Sequence, residues 1–289
     1  MAKQSFSPEI IKFFHDHLEM WPLAAENFEN LKKVQRKPFS IGSFSGYVQF
    51  NPARITSNAA KVDPESIRTR KCFLCKDNRP KEQMEFELIP GWKLLVNPYP
   101  ILDFHFTIAG DEHLPQEFLP EVAVEITKRL PGMVIFYNSE GAGASAPDHR
   151  HFQAVPKSAI PLLNPAEGVS DFFNESAKTI HELPFLIKSG MIPETGNFED
   201  ISIWDSFSDK PLNAFFWNGD EDKIRYILIP RKAHRPKCFY EEPPERRAFS
   251  PGALDMGGIL VTPFFNDYEQ VTNSEINEIY KEVAYSNTP

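Results

Sequence analysis

Two short apolar runs, Met133 to Tyr137 and Phe152 to Val155, flank the loop Asn138-Ser-Glu-Gly141-Ala-Gly143-Ala-Ser145-Ala-Pro-Asp-His149-Arg-His151. Runs of this length bounded by small residues read as strands. The second strand carries His149, His151 and Gln153 at alternate positions, which puts them on one face. Glycines let backbone N–H groups come close to an anion. A phosphate-cradling loop therefore leads directly into an imidazole that can attack phosphorus. Imidazole is neutral near pH 7 and is nucleophilic without ionising to an alkoxide. A bare H-x-H pattern would read as a structural pair. His15-Asp-His17 is one, and it is assigned to a helix surface with no function. The glycine loop, Ser145 and Gln153 set the second pattern apart.

The rest of the chain fills in an α+β architecture with antiparallel strands and helices packed on them. Ser7-Pro8 opens a helix, the hydroxyl capping and Pro suiting the first turn, with Ile10, Ile11, Phe14 and Leu18 on one face. Phe44 to Ala53 reads as a strand entering a loop. Lys93 to Val96 is a strand that stops at Asn97-Pro98, and Phe104 to Ile108 is its hairpin partner. Glu117 to Leu130 is helical, with Val122, Ile126 and Leu130 inward. In the second half, Ala214 to Trp217 and Ile224 to Ile229 flank a Gly219-Asp220 turn. Glu241 to Arg247 is an exposed loop, Ile259 to Thr262 a strand, and Ser274 caps a final helix carrying Ile276, Ile279, Tyr280 and Val283.

Ile108-Ala-Gly-Asp-Glu-His113-Leu-Pro115 is echoed in frame by Ile229-Pro-Arg-Lys-Ala-His234-Arg-Pro236. Each is a strand end, a turn and His-x-Pro. Self-similarity at long period predicts a duplicated unit, here divided into 1–160 and 161–289.

Cys72-Phe-Leu-Cys75 has the spacing of one side of a tetrahedral zinc site. His113 and His149 are the candidates to complete it, because His105 sits in mid-strand; the alternative is a pair of buried or redox-active thiols. Arg54, Arg68, Arg70, Lys71 and Arg79 cluster nearby and offer positive charge for a phosphate. Arg54 stands out at a strand end. Three cysteines, one tight pair among them, do not make a disulfide framework. No signal-peptide pattern or membrane-length apolar run is seen, so a reducing cytoplasm is expected. A net charge of -9 excludes a general nucleic-acid coat, which needs a basic surface.

These segments resemble the histidine-triad superfamily, and within it the duplicated transferase branch of the galactose-1-phosphate uridylyltransferases, diadenosine tetraphosphate phosphorylases and GDP-L-galactose phosphorylases. Phe50-Asn-Pro-Ala-Arg54 resembles the early arginine motif, and Cys72 to Asn78 the zinc knuckle. Phe106 to His113 resembles the strand before the active site, and Asn138 to Gln153 the active-site loop. The resemblance implies two histidine-triad-like halves, the second degenerate because it lacks an H-x-H-x-Q. It implies that His151 attacks the α-phosphorus, that Gln153 contacts the phosphoryl oxygens, and that His149 ligates zinc or orients His151. Arg54, Asn97, Asn138, Gly141, Gly143 and Ser145 are expected to bind nucleotide and phosphate, and zinc is the expected cofactor.

The expected enzyme is a ping-pong nucleotidyltransferase or phosphorylase. Its substrate is a nucleotide sugar or a dinucleoside polyphosphate, and its acceptor is phosphate or a sugar phosphate. No nucleic acid or membrane partner is expected, and a homodimer is compatible. The alternatives are a histidine-triad hydrolase, which Gln153 opposes, and a non-catalytic zinc-stabilised nucleotide binder, which the intact loop opposes.

Overall fold

The computed structural model describes residues 6–55, 63–163, 183–193, 210–219 and 223–286. Asp220, half of the expected Gly-Asp turn, lies outside them. The first helices are α1 (Pro8–Met20) and α2 (Pro22–Asn30), each with Pro in its first turn. Ser7 caps α1 through its backbone carbonyl; its hydroxyl makes no cap bond. There follow β1 (Gln35–Ile41), β2 (Phe44–Phe50), α3 (Pro64–Thr69), β3 (Phe86–Ile89), β4 (Trp92–Val96) and β5 (Phe106–Gly110). Then come α4 (Pro120–Arg129), β6 (Met133–Asn138) and β7 (His151–Pro156). The second half supplies β8 (Lys188–Pro193), β9 (Leu212–Asn218), β10 (Lys223–Pro230), α5 (Ala253–Met256), β11 (Ile259–Thr262), α6 (Phe265–Gln270) and α7 (Asn273–Val283). Among the described residues no helix is long and apolar enough to cross a membrane.

Eight strands form one antiparallel sheet in the order β3-β4-β5-β7-β6-β9-β10-β8. Each half contributes an antiparallel block, and the blocks join edge to edge at β6 and β9. The strands before the two echoed histidines, β5 and β10, are each the second strand of a hairpin. Their outer neighbours differ: β7 lies beside β5, and β8 beside β10. A smaller sheet, β1-β2-β11, also draws on both halves, since β11 runs parallel to β2. The proposed division at residue 160 falls in the short turns after β7.

Alternation along the central strands fills two cores. Phe136, Val155, Phe215 and Trp217 face the small sheet and α7. Ile135, Tyr137, Ala154 and Phe216 face α1, α2 and α4. The last helix is capped by Thr272 in a capping box with Glu275, not by Ser274. His15 is exposed, but His17 is not a surface residue: it is buried against Phe13 and Trp21. Phe104 is not in strand; its left-handed backbone (φ 51°) turns the ring onto Phe6 and Phe14 before β5 begins.

Candidate active site

β7 begins at His151, not at His149 as the alternation suggested. The β5–β7 ladder stops at Ala109↔His151, and His149 lies in the bend before it. Gln116 staples the ends of the loop between β6 and β7. Its amide nitrogen donates to the Asn138 and His151 carbonyls at 2.9 Å, and its oxygen accepts from the His151 N–H at 2.9 Å. The His151 ring is buried, and its Nδ1 donates to the His149 carbonyl at 2.9 Å. That bond fixes the tautomer and leaves the Nε2 lone pair on the cleft side. Burial pushes the His151 pKa down to about 4, so the ring is neutral.

The cleft measures about 530 Å³, and it is lined by seven of the residues picked from the sequence: Arg54, Asn97, Asn138, Gly143, Ser145, His151 and Gln153. Gly141 does not line it; that glycine (φ 73°) turns the chain against Pro211. Nor does the basic cluster surround it. Arg70 is paired with Asp148 and Arg79 with Glu85, and of the five only Arg54 reaches the cleft. Arg54 is half-buried and donates to the Tyr99 carbonyl at 2.6 Å. Asn97 closes a turn by accepting from the Tyr99 N–H at 3.0 Å.

Two cleft amides are held with their oxygens turned back. The Ile101 N–H donates to His105 Nδ1 at 3.1 Å, so the proton of that ring sits on Nε2. Nε2 donates to the Gln153 oxygen at 2.9 Å. Asn138 Oδ1 accepts from the Ala253 N–H at 2.7 Å and from Asn213 Nδ2 at 2.8 Å. Asn213 is in turn oriented by Arg231, whose guanidinium donates to its oxygen at 2.6 Å. Gln153 and Asn138 each keep an NH2 group, a pure donor, to offer an anion.

Gly143 (φ 95°) lets the loop meet the second half. A Cβ there would lie 2.6 Å from Gly252 Cα. Gly143→Ala is therefore expected to cost about 1–3 kcal/mol by combining left-handed backbone strain with that clash. Urea unfolding checks it; an unchanged midpoint would mean that the loop and the 252 segment can part freely.

The side chain of His149 points away from the cleft, to the cysteines. The donor atoms of Cys72, Cys75, His113 and His149 all lie within 4.8 Å of one another. Cys72 Sγ is 3.4 Å from His149 Nδ1, and Cys75 Sγ is 3.2 and 3.6 Å from the Nδ1 atoms of His113 and His149. A tetrahedral zinc with ordinary Zn–S and Zn–N bonds needs S···N edges of about 3.6 Å, so the four residues fit the ion. His149 Nε2 donates to the Gly110 carbonyl at 2.8 Å, the outer hydrogen bond that directs Nδ1 toward a metal.

Sequence reasoning missed His105, Gln116 and Asn213, which orient other groups. It also missed the second-half wall of the cleft, where Ser250, Gly252 and Asp255 lie with His234 and Arg235. Only His234 had left a trace, in the echo of His113.

The chain is similar to yeast Ap4A phosphorylase Apa2 in complex with Ap4A, at 18% identity and a TM-score of 0.58, covering 95% of this chain and 99% of that one. The two chains share one fold. That fold also matches Apa2 in complex with AMP, at 16% identity and a TM-score of 0.55, over 94% and 97% of the two chains. An ADP-glucose phosphorylase from Arabidopsis thaliana with bound ADP-glucose matches at 14% identity and a TM-score of 0.37, over 86% and 99%. Residues 13–156, which hold α2 to β7 of the fold, match a family model described as "Domain of unknown function (DUF4922)". No curated protein sequence matches the chain.

Proposed function

We propose that the chain is a nucleotidyltransferase of the phosphorylase kind, working through a covalent nucleotidyl-histidine on His151. The observation that carries this reading is the Nδ1-to-carbonyl bond of His151, which leaves a neutral Nε2 lone pair in a residue that lines one cleft with the Gln153 and Asn138 amides. Nε2 attacks the α-phosphorus, and the bond to the bridging oxygen breaks, its electron pair leaving with the second phosphate group. Phosphate or a sugar phosphate then attacks the same phosphorus, and the N–P electron pair returns to Nε2. Gln153, Asn138 and the loop around Gly143 and Ser145 hold the phosphoryl oxygens, so positioning and charge neutralisation supply most of the rate.

The substrate is a dinucleoside polyphosphate or a nucleotide sugar; Apa2 with bound Ap4A supports the first. Cys72, Cys75, His113 and His149 would hold a structural zinc, which ties the bend at 149 to the knuckle. Residues 1–160 form the catalytic half and 161–289 the degenerate repeat. The test is phosphorolysis of adenine-labelled Ap4A and ADP-glucose. Phosphate-dependent release of ADP with label trapped on the protein supports the reading, and hydrolysis without trapped label overturns it.

Gln153→His is expected to keep the covalent step and to raise loss of the nucleotide to water. An imidazole on that strand face accepts the proton of an attacking water, which an amide does not. The ratio of transfer to hydrolysis reads this out; an unchanged ratio would remove Gln153 from the choice of acceptor.

A further inference from the structure

The second half crosses the cleft at the phosphate loop. Pro251 and Gly252 pack on Gly143, and the Ala253 N–H donates to Asn138 Oδ1 at 2.7 Å. One residue earlier, Ser250 Oγ accepts from Arg235 Nε at 2.9 Å. The Arg235 guanidinium also lies 4.1 Å from the centre of the Phe239 ring, so its position is set from two sides. Buried Arg231 ties this wall together: it donates to the Pro251 carbonyl at 3.0 Å and to the carbonyls of Ala233 and His234 at 3.1 and 3.3 Å. His234, Arg235 and Ser250 line the same cleft as His151. The His234 ring makes no hydrogen bond to any described residue, and burial together with Arg235 and Arg231 holds it neutral.

Both walls carry polar groups: the first half brings Arg54, Asn97, Ser145 and Gln153 beside apolar Trp21, Phe73 and Leu74, and the second adds a further guanidinium, hydroxyl and imidazole from Arg235, Ser250 and His234. Asp255 also faces this cleft, but its oxygens accept from the Gly252 and Val261 N–H groups at 2.9 Å each. Its charge is thereby spent on the backbone, beside Arg54 and Arg231.

We propose that His234, Arg235 and Ser250 form a second anion subsite for the distal phosphates of a nucleoside polyphosphate, the part beyond the bond that His151 breaks. The subsite rests on the reading of His151 as nucleophile for its place in the reaction, though not for its affinity for phosphate. A polyphosphate chain leaving the Gly143 loop meets Ser250 and Arg235 next, because Ser250 is joined to the residues that pack on Gly143.

The test compares the full chain with Arg235→Met. Inorganic tripolyphosphate is titrated by calorimetry, and kcat/KM is measured for Ap4A and for adenosine 5′-phosphoramidate, which has no distal phosphate. Loss of a charge-assisted contact is expected to weaken tripolyphosphate about tenfold or more. The preference for Ap4A over the phosphoramidate is expected to fall by the same factor, with Arg235→Lys recovering part of it. Equal tripolyphosphate binding in the two proteins, or an unchanged preference, overturns the subsite. Should wild type turn over neither nucleotide yet bind tripolyphosphate through Arg235, the subsite stands and the His151 reading falls. Should Arg235→Met fail to fold, His234→Ala carries the same comparison, because that ring supports no described hydrogen bond.

Discussion

His151→Ala is expected to abolish nucleotidyl transfer and to leave the fold intact. The β7 backbone keeps its partners, because the stapling bonds from Gln116 use the main chain of His151. The only described hydrogen bond lost is the one from Nδ1 to the His149 carbonyl. What disappears is the proposed nucleophile, and removal of a nucleophile lowers turnover by several orders of magnitude. Gln153 and His105 cannot replace it. Gln153 is an amide with no nucleophilic lone pair, and the ring nitrogens of His105 are both engaged, one as acceptor from Ile101 and one as donor to Gln153. Trapping of acid-labile label is the measurement. Label that persists on the His151→Ala protein would give the nucleophile to another residue.

Removing zinc, or replacing Cys72 by serine, is expected to act mainly on stability. The four proposed ligands come from three separate stretches, and the ion would close the loops between them. Structural zinc contributes about 10–16 kcal/mol in finger peptides that have no core of their own. This chain has two apolar cores, so a fraction of that is expected. A loss of even about 4 kcal/mol lowers Tm by roughly 7 °C in a chain of this size. Well below the new Tm, turnover should persist, since a site with four protein ligands leaves no position open for substrate. Metal analysis and melting with and without chelator decide it. Protein purified without chelators and containing no zinc would sink the assignment.

Chemistry written in local spacing could be read from the sequence. Cys72 and Cys75, with His113 and His149, come together as their motifs suggested. His151 and Gln153 share a strand face because both lie within β7. The error at His149 has a local cause. The Arg150 N–H donates to the Leu114 carbonyl at 2.8 Å and the Arg150 carbonyl accepts from Gly110, so the chain leaves the ladder one residue too soon for the alternation to include 149. His105, Asn213 and Arg231 were invisible for another reason. Each acts through a partner 18 to 75 residues away in sequence, and no period or motif encodes such a contact. The basic cluster misled because two carboxylates neutralise members of it: Asp148, 78 residues from Arg70, and Glu85, only six from Arg79. His17 misled because Phe13 and Trp21 cover one side of a helix that looked polar there.

β6 lies between β7 and β9, and β9 is made about 75 residues later in the chain. During synthesis, every reactive atom of the cleft loop exists before β9 does. At that moment the Val134–Asn138 edge is an unpaired row of N–H and C=O groups, open to the wrong strand. Asn138 then also lacks the amide that aims it. The arrival of β9 covers that edge, and the aiming of Asn138 is finished only when Arg231 and Ala253 follow. The hydrogen-bond frame around Asn138 is therefore closed only by the second half.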